Sequence, residues 1–167
     1  MKRLINKLVP RMQAKTVYDI DLNALRKAGI RGVITDLDNT LVGAKEPVAT
    51  PELIKWLSGV REAGFQVVIV SNNSKERVSK FAEPLTIPFI YSARKPMNIA
   101  FRKAMGMMGL APNQTAVVGD QMLTDVLGGN RMGLFTIMVQ PIALKDEGFF
   151  TKINRTIEKA ALTFMKK

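Results

Sequence analysis

The sequence predicts an α/β fold, a parallel sheet of about five strands with helices on both faces. Short runs rich in Val and Ile, at 31–36, 66–70, 87–91, 115–118 and 134–139, alternate with longer stretches of helical periodicity. The runs are apolar almost throughout rather than at every second position, which suits strands buried on both sides and joined by right-handed crossovers. Several of them end in polar residues, and in a parallel sheet the carboxyl ends of the strands share the edge where ligands bind.

At the amino end, Arg3, Lys7, Arg11 and Lys15 recur four apart, with Leu4, Ile5, Leu8 and Met12 to one side. This is amphipathic helical spacing, which Pro10 must kink or end. Residues 1–20 therefore read as a basic amphipathic arm, either lying on an interface or packed on the core. Asp21 caps a helix running to about Ala28 and stopped by Gly29. After the 31–36 strand, Thr50-Pro51-Glu52 supplies a cap, a first-turn proline and a favourable acid for a helix ending at Gly64.

The 66–70 strand ends in Ser71-Asn72-Asn73-Ser74, and a helix from near Lys75 fades before Pro84. The third strand, 87–91, is weakened by Pro88. Pro96 opens a Met-rich helix through Met108 whose methionines suit flexible core packing. The 115–118 strand ends in Gly119-Asp120. A helix from about Leu123 closes at Gly128-Gly129 or Gly133 before the last strand. Residues 150–167 read as a basic helix with Ile153, Ile157, Ala161 and Phe164 on one face. One domain spanning 1–167 is expected.

The chain has no Cys and no His, which excludes disulfides, thiolate zinc sites, Ser-His-Asp and Cys-His nucleophiles and His-ligated metals. Catalysis has to run on carboxylates, lysine, hydroxyls and an oxygen-liganded metal. The net charge of +11 is concentrated at the ends: +5 over residues 1–15, +4 over 152–167 and only +2 between them. Such ends suit an anionic surface or serve solubility alone. No apolar run is long enough to span a membrane, and Lys7 and Pro10 interrupt the amino-terminal stretch, so no secretory signal is expected. A cytoplasmic protein, peripheral at the inner membrane face, is the resulting expectation.

Asp36, Asp38, Asn39 and Thr40, then Ser71 and Asn72, Lys95, and finally Asp120 and Asp125 all lie at or just after a strand's carboxyl end. That inventory suits phosphoryl transfer. One carboxylate attacks, a second manages protons, and Ser, Asn and Lys hold phosphate oxygens. Clustered carboxylates also call for a hard cation, for which Mg²⁺ fits.

Asp36-Leu37-Asp38-Asn39-Thr40 resembles the first motif of the haloacid-dehalogenase (HAD) superfamily. Val70-Ser71-Asn72 resembles the second, Lys95 the third, and Gly119-Asp120 through Asp125 the fourth, in order over roughly 31–140. More narrowly the chain resembles YqeG-type, subclass IIIA HAD phosphatases, similar to the mitochondrial phosphatidylglycerophosphate phosphatase. The resemblance implies a HAD-like Rossmannoid three-layer sandwich. It implies Asp36 as nucleophile and metal ligand, and Asp38 as general acid/base with its backbone carbonyl on the metal. Thr40 would support the phosphate or Asp36, and Ser71, Asn72 and Lys95 would bind substrate. Asp120 would bind Mg²⁺, with Asp125 a further metal-site acid.

The spacing between motifs leaves no room for a large cap domain. An open rim suits a substrate that cannot be enclosed, and the expected one is an anionic lipid phosphate, phosphatidylglycerophosphate. The alternatives are a soluble phosphatase for small phosphoesters or polynucleotide ends, and a non-catalytic module contacting RNA through its basic ends. With two Tyr and one Trp for base stacking, nucleic acid is the least expected partner.

Overall fold

The computed structural model of the chain describes residues 2–143 together with 153, 155–157, 159 and 163. Helix α1 (Lys2–Asn6) leads into strand β1 (Met12–Ala14), and helix α2 (Leu22–Lys27) precedes β2 (Gly32–Thr35). Helix α3 (Pro51–Glu62), β3 (Gln66–Val70), α4 (Lys75–Ala82) and β4 (Phe89–Ile90) follow. After them come α5 (Asn98–Met108), β5 (Thr115–Gly119), a π-helical turn (Met122–Val126), α6 (Leu127–Met132) and β6 (Phe135–Val139). All pairings are parallel, in the order β1-β6-β5-β2-β3-β4, so the first two motifs lie on central strands.

The central strands are buried on both faces because helices cover both. Val33, Val67 and Ala116, paired across the sheet, face the core built with Leu25, Leu53, Leu57, Val78 and Phe81 from α2, α3 and α4. Their neighbours Ile34, Val68 and Val117 face the opposite core, with Phe101, Ala104, Met105 and Met108 of α5. Adjacent residues in a strand point to opposite faces, so a strand between two helical layers must be apolar at every position.

The caps form as expected. Asp21 accepts from the Ala24 N–H at 3.0 Å, Thr50 from Leu53 at 3.2 Å and Ser74 from Arg77 at 3.3 Å. Gly29 and Gly64 adopt φ values of +85° and +92°, the left-handed conformation that ends a helix.

The five expected strands are all present, joined by a sixth, β1, at the sheet edge. Three expectations are corrected. Residues 3–15 are not one kinked helix: helix persists only over Lys2–Asn6, and beyond Pro10 the segment pairs Met12 with Ile137 and Ala14 with Val139. An edge strand gains ladder hydrogen bonds that a short proline-broken helix cannot supply. The third strand shrinks to Phe89–Ile90, since Pro88 lacks a donor N–H. Pro96 precedes its helix, which starts at Asn98.

Of the proposed glycine stops after β5, Gly133 is the one used, at φ +75°. Gly128 and Gly129 lie inside α6, where close packing calls for glycine: a methyl group at 128 would sit 2.5 Å from the Phe101 ring and one at 129 would overlap Val117. The expected basic helix at 150–167 lies largely outside the described residues, of which 153, 155–157, 159 and 163 are helical. Only the 36–50 loop and α3 separate β2 from β3, and only α4 with a 3-10 turn and short connections separates β3 from β4, so no large cap is present there.

Candidate active site

The site lies beyond the carboxyl ends of β2, β3, β4 and β5. β2 ends at Thr35, and the Asp36 N–H is still held by the Val118 carbonyl at 2.9 Å, so Asp36 inherits the sheet's rigidity. The chain then leaves the sheet through Asn39 at φ +60°, a left-handed turn that asparagine tolerates. The Asn39 N–H is bonded to the Val42 carbonyl at 2.7 Å. This turn carries Asp38 to the rim and brings Thr40 back inward, where its hydroxyl donates to Asp120 Oδ1 at 3.0 Å. Thr40 thus supports the acid at the end of β5 rather than Asp36.

Lys95 joins the distant segments. Its ammonium donates to Asp36 Oδ1 at 3.0 Å and to Asp125 Oδ1 at 2.7 Å, and the residue is 7% exposed. Its backbone is fixed by Asn72: the Lys95 N–H donates to Asn72 Oδ1 at 2.8 Å and the Asn72 amide donates back to the Lys95 carbonyl at 3.3 Å. Asn72 therefore clamps the lysine loop, and in this arrangement its amide is occupied by that task. Ser71 is buried at the end of β3 and accepts the Asn73 N–H at 3.1 Å, leaving its own hydroxyl proton to be donated.

Asp125 reaches the cluster through the π-helical turn, which re-aims its side chain into the sheet edge. Its second oxygen accepts the Gln121 N–H at 3.3 Å. Its carboxylate lies so close to the Gly119 backbone that a methyl group at residue 119 would overlap it. That is a steric reason for glycine before Asp120.

One carboxylate oxygen from each of Asp36, Asp120 and Asp125 falls within 4.8 Å of the others. The crowding is visible in their protonation. Burial, then the Asp36 and Asp125 carboxylates, push Asp120 up to about 7. Burial pushes Asp125 up to about 6 even though Lys95 pulls it down. Lys95 itself is raised: burial opposes its charge, but Asp125 and Asp36 outweigh that. One ammonium among three acids leaves negative charge uncompensated, and three hard oxygen donors at this spacing fit a small divalent cation.

Two more residues complete the rim: Arg77, which sequence reasoning passed over, and Asn73, noted at the end of the 66–70 strand but given no role. Arg77, on the first turns of α4, donates to Asp38 Oδ1 from Nε at 3.1 Å and from Nη2 at 3.0 Å. The Asn73 amide donates to Asp38 Oδ2 at 2.8 Å. Both carboxylate oxygens of Asp38 are thereby positioned. The available signal was the spacing: three residues after the Ser74 cap, Arg77 must lie one turn into the helix that starts beside the site. The depression over these groups, about 360 Å³, is lined by Asp36, Asp38, Ser71, Asn72, Lys95 and Gln121 among others, and it is open to solvent. All eight residues expected at the site meet here, six of them around the acidic cluster and Lys95, and Asp38 with Ser71 on its open side.

A parallel sheet presenting an Asp-x-Asp turn, a buried lysine and an acidic cluster on one uncapped edge defines a HAD-like hydrolase. The HAD-hydrolase-like family model matches residues 92–141, and the mitochondrial PGP phosphatase model matches residues 2–86. The chain belongs to this HAD phosphatase family and is an enzyme of that class. It is 50% identical over 153 residues to "Probable phosphatase YqeG" of Bacillus subtilis, covering 92% of this chain and 88% of that one. It is 31% identical to the chloroplastic phosphatidylglycerophosphate phosphatase 1 of Chlamydomonas reinhardtii, covering 90% of this chain but 60% of the relative. Among solved structures, the cobalt-bound deoxy-D-mannose-octulosonate 8-phosphate phosphatase of Haemophilus influenzae superposes with a TM-score of 0.54 at 21% identity, over 66% of this chain and 68% of that one. A subfamily III A HAD hydrolase from Legionella pneumophila gives 0.51 at 17% identity, over 88% and 100%. At these identities the superpositions establish the fold.

Proposed function

We propose that the protein is a Mg²⁺-dependent phosphomonoesterase acting on phosphatidylglycerophosphate at the cytoplasmic face of a membrane. The observation that carries the chemistry is the convergence of Asp36, Asp38 and Lys95 on one open pocket, with Asp120 and Asp125 clustered against Asp36. A carboxylate oxygen of Asp36 attacks phosphorus as the bond to the leaving alcohol breaks, giving an aspartyl-phosphate, and Asp38 delivers the proton to the departing oxygen. Asp38, now a carboxylate, takes a proton from the water that cleaves the acyl phosphate, which restores Asp36 and releases phosphate. Lys95 and Ser71 hold phosphoryl oxygens, while Asn72 keeps Lys95 in place.

Asp36 and Asp120 would hold Mg²⁺, with the Asp38 carbonyl beside them. Asp125, engaged by Lys95 and the Gln121 N–H, closes the cluster from behind. When bound, the ion would neutralise charge on the transferring phosphoryl group. The lipid substrate is supported by the uncapped rim and by the likeness to phosphatidylglycerophosphate phosphatases. No helix among the described residues is long and apolar enough to cross a membrane.

Turnover of phosphatidylglycerophosphate in mixed micelles, with Mg²⁺ and with chelator, tests the reading. Chelator-sensitive release of phosphate is expected. Faster turnover of small phosphoesters or of polynucleotide ends than of the lipid would move the substrate assignment to those classes.

A further inference from the structure

The basic ends of the chain suggest how the protein meets a membrane, but the topology places one of them on the wrong edge. β1 runs parallel to β6, and the Arg11 N–H is held by the Thr136 carbonyl at 3.0 Å, near the start of β6. The Asn130 amide, near the end of α6, donates to the Lys7 and Val9 carbonyls, each at 2.9 Å. Residues 2–9 therefore lie at the amino-end edge of the sheet. The active site follows the carboxyl ends, about 17 Å away along a five-residue strand. A bilayer resting on α1 would not reach Asp36.

We infer that the protein docks on an anionic bilayer through the catalytic rim itself, on the side formed by residues 91–99 and Leu123. Three observations converge there. Large apolar side chains are exposed around the pocket: Tyr91 at 42%, Met97 at 51%, Ile99 at 71% and Leu123 at 63%. Tyr91 directly follows β4, Met97 and Ile99 open α5, and Leu123 lies in the turn after β5, so all four belong to the carboxyl-end edge by topology. Between Glu83 and Asp120 the sequence contains no acidic residue but has Arg94, Lys95, Arg102 and Lys103. Of these Arg94, Arg102 and Lys103 are exposed.

Finally, Lys75 stands over the Tyr91 ring with its ammonium 5.9 Å from the centroid, with Glu76 the acid beside it. Apolar side chains interleaved with exposed cations are what an anionic interface takes: the former enter the headgroup–acyl boundary and the latter pair with phosphates. The surface also borders the open pocket, so a lipid phosphomonoester would need to rise only a short way out of the leaflet to reach Asp36. The inference rests on the lipid reading for its purpose, and the test below separates the two.

Flotation with vesicles of phosphatidylglycerol and phosphatidylcholine, and with phosphatidylcholine alone, is measured for the wild type, Ile99→Glu/Leu123→Glu and Leu4→Glu. Turnover of p-nitrophenyl phosphate and of vesicle-borne phosphatidylglycerophosphate is followed in parallel. The wild type should float with anionic vesicles only. The rim variant should lose about tenfold or more in binding and in vesicle turnover while its turnover of the soluble ester is unchanged, and Leu4→Glu should match the wild type throughout. Wild-type protein that fails to float, a rim variant that floats normally, or loss of binding confined to Leu4→Glu overturns the inference. If flotation follows the expected pattern but no lipid phosphate is released, the docking surface stands and the lipid-substrate reading fails.

Discussion

Replacing Lys95 by methionine keeps the length and most of the volume of the side chain while removing the one ammonium that, among the described residues, contacts both Asp36 and Asp125. Lys95 is 7% exposed and Asp125 1% exposed, so water cannot substitute for the lost cation. Removing one partner of a buried pair costs about 3–5 kcal/mol, because the other charge is left buried and alone. In a domain of this size each kcal/mol lowers Tm by roughly 2–4 °C, so a drop on the order of 10 °C is expected in metal-free protein.

The pH dependence fixes the cause. Lys95 pulls the Asp125 pKa down, so in the variant that pKa, already raised to about 6, climbs further. A carboxyl group whose folded-state pKa lies above its unfolded value favours folding while protonated and loses that advantage as pH rises through the folded value. The cost of Lys95→Met should therefore be largest near pH 8 and shrink towards pH 5. Adding Asp125→Asn removes the stranded charge and should recover most of the loss at pH 8. Thermal unfolding in chelator at the two pH values, for the single and double variants, checks this. A deficit that is the same at both pH values, or a double variant no more stable than the single, would falsify the view of Lys95 as a counter-ion.

Three further outcomes are expected. Asp36→Asn should lower turnover by at least about 10³-fold, since nucleophile losses are of this order or larger; it should also abolish the acid-stable phosphate label that wild type acquires in a single turnover, with the circular dichroism spectrum unchanged. Arg77→Gln removes both contacts to Asp38 Oδ1, leaving only the Asn73 amide on Oδ2, and should reduce kcat by about 10–100-fold with little change in KM; a raised KM at normal kcat would instead assign Arg77 to substrate binding. Mg²⁺ competes with protons for Asp120, raised to about 7, and its neighbours, so the Tm gain on adding Mg²⁺ should be small at pH 5 and grow to pH 8. A gain independent of pH between those values would place the ion elsewhere.

Much of this was legible because the informative signals are local. Strand identity followed from β-branched runs that the double-sided burial of the sheet demands, and the helix starts from caps such as Thr50 and Ser74. The site residues were legible because a parallel sheet fixes where strand ends meet. What could not be read is what depends on side-chain direction. Thr40 turns to Asp120 because the Asn39 turn reverses the chain, and Asn72, though at the pocket wall, spends its amide on the Lys95 backbone. Arg77 reaches Asp38 only once α4 has been placed against the β2 loop. The periodicity of residues 3–15 was misleading because alternate and every-fourth spacings coincide in so short a segment, and pairing with β6 decided between them.

The charge distribution shows the same separation between what a sequence counts and what a fold arranges. Counting places the positive charge at the two ends, and α1 does expose Leu4 among cations. Topology then puts α1 at the amino-end edge, while the acid-free stretch from 84 to 119, with Arg94, Lys95, Arg102 and Lys103, wraps from the sheet edge to the rim of the pocket. For the proposed lipid substrate of an enzyme without a large cap, the surface beside the pocket and the surface that meets the bilayer have to be the same one. A cation-bearing, apolar α5 face next to Lys95 satisfies that requirement, and a basic arm on the opposite edge does not.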